Sequence, residues 1–142
     1  MGLGAYQVVG RLPAEGEKLR ALGKSTYAAV VDSVGGDTLA YALSVMNYGG
    51  VAAVSGLARS ADLPTTVMPF ILRGVTLTGI DSVLLRIGKR RELWQSIATE
   101  LLPRHLDDIT RDISILEAPE TLRAIIGGGV TGRTRVAVKD GF

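Results

Sequence analysis

Short apolar runs alternate with amphipathic segments along most of the chain, and this alternation predicts a βα-repeating, mostly parallel sheet with flanking helices. Residues 6–9 read as a first strand, with Gly4 as the stop of a helix of which only Met1, Gly2 and Leu3 remain. Residues 13–22 carry helix punctuation: Pro13 in the first turn, Glu15 and Glu17 near the positive end, Lys18 and Arg20 later, Gly23 as the stop. That helix would supply the crossover to a near-continuous apolar run at 28–34, short enough for a central strand covered on both faces. Asp37 is placed to cap the next helix, whose stripe is Leu39, Ala42, Leu43 and Met46, and Gly49-Gly50 is expected to end it. Strands at 51–55 and 75–80 follow, separated by an irregular stretch and one helical turn at 70–73. Helices are expected at 87–102, with Ile87, Trp94, Ile97 and Leu101 on one face, and at 119–126, with an edge or terminal strand at 135–139.

Composition narrows the function classes. A chain of 142 residues fits one domain, 1–142, and at this size can bury roughly two-thirds of its unfolded surface. With 46% hydrophobic residues, 18 glycines and only 5% aromatics, it suits helices packed on a buried sheet and suits a base-stacking platform poorly. The net charge of +2 is scattered apart from Lys89-Arg90-Arg91, which reads as a solvated helix face, so no nucleic-acid partner is expected. The absence of cysteine removes disulfides, thiolate nucleophiles and Cys-ligated zinc, and the single His105 after Pro103-Arg104 reads as a surface residue. No apolar stretch is long enough to span a bilayer and no signal-peptide pattern opens the chain; a cytoplasmic protein without a membrane partner is expected.

Several runs are more specific than this pattern. Met46-Asn47-Tyr48-Gly49-Gly50, Ser55-Gly56-Leu57-Ala58, Gly79-Ile80-Asp81-Ser82-Val83, Gly132-Arg133-Thr134 and above all the eleven residues 63–73 (Leu-Pro-Thr-Thr-Val-Met-Pro-Phe-Ile-Leu-Arg) closely resemble the acrylyl-CoA reductase and quinone oxidoreductase family. That family belongs to the zinc-independent medium-chain dehydrogenases/reductases, and the resemblance covers essentially the whole chain. It implies a Rossmann-like α/β fold, incomplete at the N-terminus, and NADP(H) as cofactor. It also implies hydride transfer to an activated carbon–carbon double bond, such as an acrylyl-CoA-like enoyl thioester, or to a quinone, with the small-molecule substrate bound by the full-length proteins. Three departures stand out. The family's glycine-rich βα loop and its catalytic domain do not precede Leu3, and a strand and helix that the family carries between the segments matching Gly23 and Ala28 have no counterpart.

The candidate site residues lie where strands end. Gly10-Arg11 follows the first expected strand, where a Rossmann fold reads the ribose 2′ position; an arginine suits a 2′-phosphate, and a surface arginine in a turn is the plainer reading. Val34-Gly35 ends the central strand on the ligand-binding edge of an open α/β sheet, although a glycine there could simply make the turn. The resemblance places adenosine near this edge and places Gly56-Leu57 beside the nicotinamide, where a side chain at 56 would obstruct close approach. It puts Ile80-Asp81-Ser82 beside the nicotinamide too, with a turn or helix cap as the equal alternative for Asp81. Arg133 would reach toward the cofactor or be a plain surface charge. Asp107-Asp108 reads as a solvated turn, and no nucleophile–base pair is found, which hydride transfer does not require.

Without the fingerprint loop, hydrogen bonds to the pyrophosphate worth roughly 1.5–3 kcal/mol each are missing, so the chain alone is expected to bind NADPH weakly and to be weakly active or inactive. The run at 75–79 resembles the strand through which the family's domains pair, and a homodimer is expected there. Two rival readings are a non-catalytic dimerising Rossmann module from a truncated gene and a methyltransferase-like nucleotide binder; the latter fits the alternation but not the runs at 46–58 and 63–73.

Overall fold

A computed structural model describes residues 4–14, 16–102 and 104–138; Met1, Gly2, Leu3, Glu15, Pro103 and Lys139, which figure in the expectations above, lie outside them. The chain divides into two compact units, Val9–Arg90 and Arg91–Phe142 with Met1–Val8.

The first unit holds a parallel three-stranded sheet, β1 (Tyr27–Asp32), β2 (Met46–Val54) and β3 (Thr76–Gly79), ordered β1-β2-β3. The connections contain α1 (Gly36–Ser44) and α2 (Met68–Arg73). Strand-to-helix-to-parallel-strand is the unit the alternation predicted, and the arrangement is Rossmann-like. Leu39 and Leu43 of α1 lie one turn apart and pack with Met46 and Ala52 of β2 and with Val75 to form the core. Val30, Val54, Leu63, Phe70 and Leu77 close around them. Arg73, the last residue of α2, donates to the carbonyls of Gly23, Ser44 and Met46, and so ties the end of α1 and the start of β2 to the chain entering β1.

Four expectations for the first half of the chain are corrected. Residues 6–9 form no strand: Tyr6 is 97% exposed and Val8 72%, so the run buries little to offset the cost of ordering. Among the described residues of 13–22 there is no helix; Gly16 is left-handed (φ 77°), and Glu17 donates its N–H back to the Ala14 carbonyl in a turn. A segment this short needs an apolar face packed on something to stay helical. Next, α1 stops at Ser44 rather than at Gly49-Gly50, and Met46 opens β2. Between the pairs Tyr27–Met46 and Ala29–Val51 a single residue of β1, Ala28, faces four of β2, residues 47–50, an irregularity that takes up Gly49 at φ 70°. Finally, Gly35 rather than Asp37 is the N-cap of α1, without a side-chain cap.

The second unit holds β4 (Thr110–Ser114) and β5 (Arg133–Ala137), paired in parallel with Asp112 opposite Arg135, and α4 (Ala118–Ile126) in the connection between them. β4 escaped the sequence reading because Ile113 is its single large apolar residue. Ser114 and Glu117 form a capping box that leads into α4. Another helix, α3 (Ile87–Thr99), crosses the division and ends before Leu101; none of its residues is buried. No helix among the described residues is long and apolar enough to cross a membrane.

Candidate functional site

The carboxyl ends of β1 and β2 continue as loops that run side by side. Ser55 donates its backbone N–H to the Asp32 carbonyl (2.8 Å), Ala58 to Ser33 (3.2 Å) and Arg59 to Val34 (2.8 Å), and Gly35 bridges to Ser60. The parallel ladder therefore extends past the strands. Ile80 extends it on the other flank by donating to the Val54 carbonyl (2.8 Å).

Two glycines are required by this close approach. Gly35 is left-handed (φ 71°), and a Cβ there would overlap the Ser60 carbonyl. At Gly56 a Cβ would stand 2.6 Å from the Ser33 carbonyl oxygen. The nearest obstacle to a side chain at 56 is thus the neighbouring loop, whatever occupies the cleft. Asp32, which the sequence reading passed over, sets the turn. It is buried (5% exposed), and its carboxylate accepts the N–H groups of Val34 (3.1 Å) and Gly35 (2.8 Å), aiming the chain into α1.

The expected residues fall into groups. Gly35, Gly56 and Leu57 line one cleft of about 390 Å³, with Val54, Leu77 and Gly79 from the strand ends. Arg11 and Val34 line a second, of about 520 Å³, with Leu12, Thr38, Ala58 and Arg59. Gly10 reaches the same neighbourhood from the other side, lining with Arg11 and Leu12 a hollow against Val31, Thr38 and Tyr41. Arg11 thus arrives at the strand ends by way of an irregular segment rather than from a strand tip. Ile80, Asp81 and Ser82 follow β3, and here the capping alternative describes Asp81: its carboxylate accepts from Val83 (2.9 Å) and Leu84 (3.1 Å). The Ser82 carbonyl accepts from Arg90. Arg133 belongs to the second unit, where it opens β5 opposite Thr110.

Arg59 was also missed, although the signal used for Arg11, a guanidinium just past an apolar run, was there to be read. In the second unit, the Asp112 carboxyl is held below the usual carboxylate range by its two-pronged pairing with Arg135 (2.7 Å at each contact), which in turn holds the guanidinium proton more firmly. Glu117 is lowered likewise by the Ser114 N–H and hydroxyl. His105 meets Asp108 at 2.9 Å, an exposed contact in the solvated turn.

No family model matches the chain. It is 43% identical over 136 residues to the "Probable acrylyl-CoA reductase AcuI" of Escherichia coli (strain K12), a match covering 96% of this chain and 41% of that protein. To the "Putative quinone oxidoreductase YhfP" of Bacillus subtilis (strain 168) it is 42% identical over 135 residues, covering 94% and 41%. The chain thus spans about two-fifths of the length of these relatives. Among solved structures, the yhdH oxidoreductase of Salmonella enterica in complex with NADP superposes with a TM-score of 0.87 at 41% identity, over 97% of this chain and 42% of that one. The Bacillus protein with NAD bound gives a TM-score of 0.80 at 43% identity, over 84% and 37%.

Proposed function

We propose that this chain, which belongs to the acrylyl-CoA reductase and quinone oxidoreductase family, is the NADP(H)-holding part of an oxidoreductase that reduces an activated carbon–carbon double bond or a quinone. One observation carries the reading: Arg11 shares a cleft with Val34 at the carboxyl edge of a parallel sheet, where open α/β folds bind their ligands. The donors fit a dinucleotide with a 2′-phosphate, since a guanidinium stays charged and can grip a phosphate at two points. Arg11, with Gly10 beside it, takes the 2′-phosphate. Val34 and Gly35 border the adenosine, Gly56 and Leu57 the nicotinamide. Ile80, Asp81 and Ser82 complete the site as the family pattern implies, and Arg133 is the residue the same pattern marks for the cofactor in the second unit. When bound, the cofactor supplies the hydride; the chain's own groups bind and orient it.

The Bacillus relative carries NAD in its structure, so the choice between the two dinucleotides is assigned to Arg11 and not to membership alone. In the protein that carries this chain, Arg11→Gln should weaken NADPH by roughly tenfold or more and leave NADH unchanged, read by titration calorimetry. Equal affinity of the unmodified protein for the two cofactors would sink the assignment.

Both units are read as one cofactor domain, because the match to the relatives spans 96% of the chain. A homodimer through 75–79 belongs to the same reading. Thr76 and Thr78 are exposed, and β3 is an edge of the sheet among the described residues. Lysine at both positions should give monomers by sedimentation, and a dimer that survives the change rules the interface out. A cytoplasmic location is proposed too; recovery of the protein in a membrane fraction would contradict it.

A further inference from the structure

We infer that Arg59 is a second guanidinium for the same phosphate, so that the 2′ position is read by two arginines from separate loops. The inference rests on the cofactor reading above and adds to it a residue that determines specificity. Arg59 lines the cleft of about 520 Å³ together with Arg11 and Val34. The same two arginines border an adjoining space of about 760 Å³, in which Lys18, Glu17 and Asp37 are the other charged residues.

The backbone at Arg59 is fixed. Its N–H donates to the Val34 carbonyl, and the next residue, Ser60, bridges to Gly35. Its Cγ and Cδ lie over Gly36, each 3.8 Å from where a Cβ would stand, which directs the stem along the first turn of α1. The guanidinium ends 3.9 Å from the Asp37 carboxylate, with both side chains about half exposed. A pair that long and that wet holds its partners weakly. Glu17 does not oppose the two arginines freely, because its carboxylate accepts the Ala14 N–H at 3.0 Å. Two arginines lining one cleft bring like charges to it, and the loosely held Asp37 carboxylate offsets this only in part. A phosphate dianion offers both of them two-point contacts. Arg59 would then exchange Asp37 for the phosphate when the cofactor binds.

The test is a titration followed by NMR, which detects weak binding, on the unmodified chain and on Arg11→Gln, Arg59→Gln, Arg59→Lys and Asp37→Asn. The probes are adenosine 2′-monophosphate and adenosine 5′-monophosphate. The unmodified chain should prefer the 2′-phosphate and show a shift of the Arg59 Nε–H. Arg59→Gln should lose affinity by about tenfold, Arg59→Lys by less, and neither should change 5′-monophosphate binding. Asp37→Asn should bind a few-fold more tightly because the competing charge is gone. If Arg11→Gln weakens the 2′-phosphate and Arg59→Gln does not, the second guanidinium is refuted and the cofactor reading stands. If the unmodified chain shows no preference for the 2′-phosphate, both fail. Backbone spectra of the exposed-site variants show whether each is folded.

Discussion

The two units reach order by different means. The β1-β2-β3 unit is organised around side chains removed from water, with Leu43, Met46 and Ala52 at 0% exposure. In the β4-β5 unit Ile113 is the buried hydrophobic residue among those described, and across the two strands Asp112 and Arg135 face each other as a charged pair. Buried apolar side chains carry no titrating group, whereas an exposed ion pair is screened by salt and titrates. The strand ends that carry the site are therefore mounted on an apolar core.

Cutting into the core should have the largest effect. Leu43→Ala removes a fully buried side chain from between α1 and β2 and should destabilise by about 2–5 kcal/mol, read from denaturant unfolding. A change well under 1 kcal/mol would mean that α1 does not hold the sheet. The loop ladder should respond less. Gly56→Ala sets a methyl 2.6 Å from the Ser33 carbonyl oxygen and should cost roughly 1–3 kcal/mol, with the damage confined to amide exchange in the two loops. If instead the exchange of the whole sheet rose together, the loops would not be a separate layer. Acid should produce the smallest effect, read at the exposed pair of the second unit. The folded-state pKa of Asp112 lies below its unfolded value, so its contribution is present above that unfolded value, near 4, and is lost as pH falls through the lower folded one. Cross-strand amides of β4 and β5 should lose protection there, less so in Asp112→Asn, while those of β1 and β2 remain protected. Loss of protection in both units at one pH would erase the contrast.

Most of the first unit could be read from residue order because its signals are dense. The apolar run at 28–34, the stripe of Leu39 and Leu43 and the Gly35-Gly36 boundary between them report the same elements. Its failures came where one signal stood alone. Gly49-Gly50 looked like a helix stop, yet burial of Val45 and Met46 had already turned the chain into a strand. Residues 13–22 had helix punctuation but no packed face. β4 had a packed residue, Ile113, but no apolar period to announce it. For the site, Val34, Gly35 and Gly56 fall past strand ends as expected, whereas Arg11 follows an expected strand that does not form and still shares a cleft with Val34. Asp32 and Arg59 went unnoticed, because what they do depends on partners brought near by folding: the amides of the following turn, and the far wall of a cleft.

The order of residues alone determined the fold class, the parallel alternation of the central elements and the family, since these follow from periodicity and from runs such as 63–73 that local chemistry makes distinctive. Tertiary structure decided what adjacency decides. It joined the loops after β1 and β2 into one ladder, made Gly56 obligatory through the Ser33 backbone, and brought Arg11 and Arg59, 48 positions apart in the chain, to one cleft. A hydrogen bond or a shared phosphate depends on distance in space, and only a folded chain sets that distance.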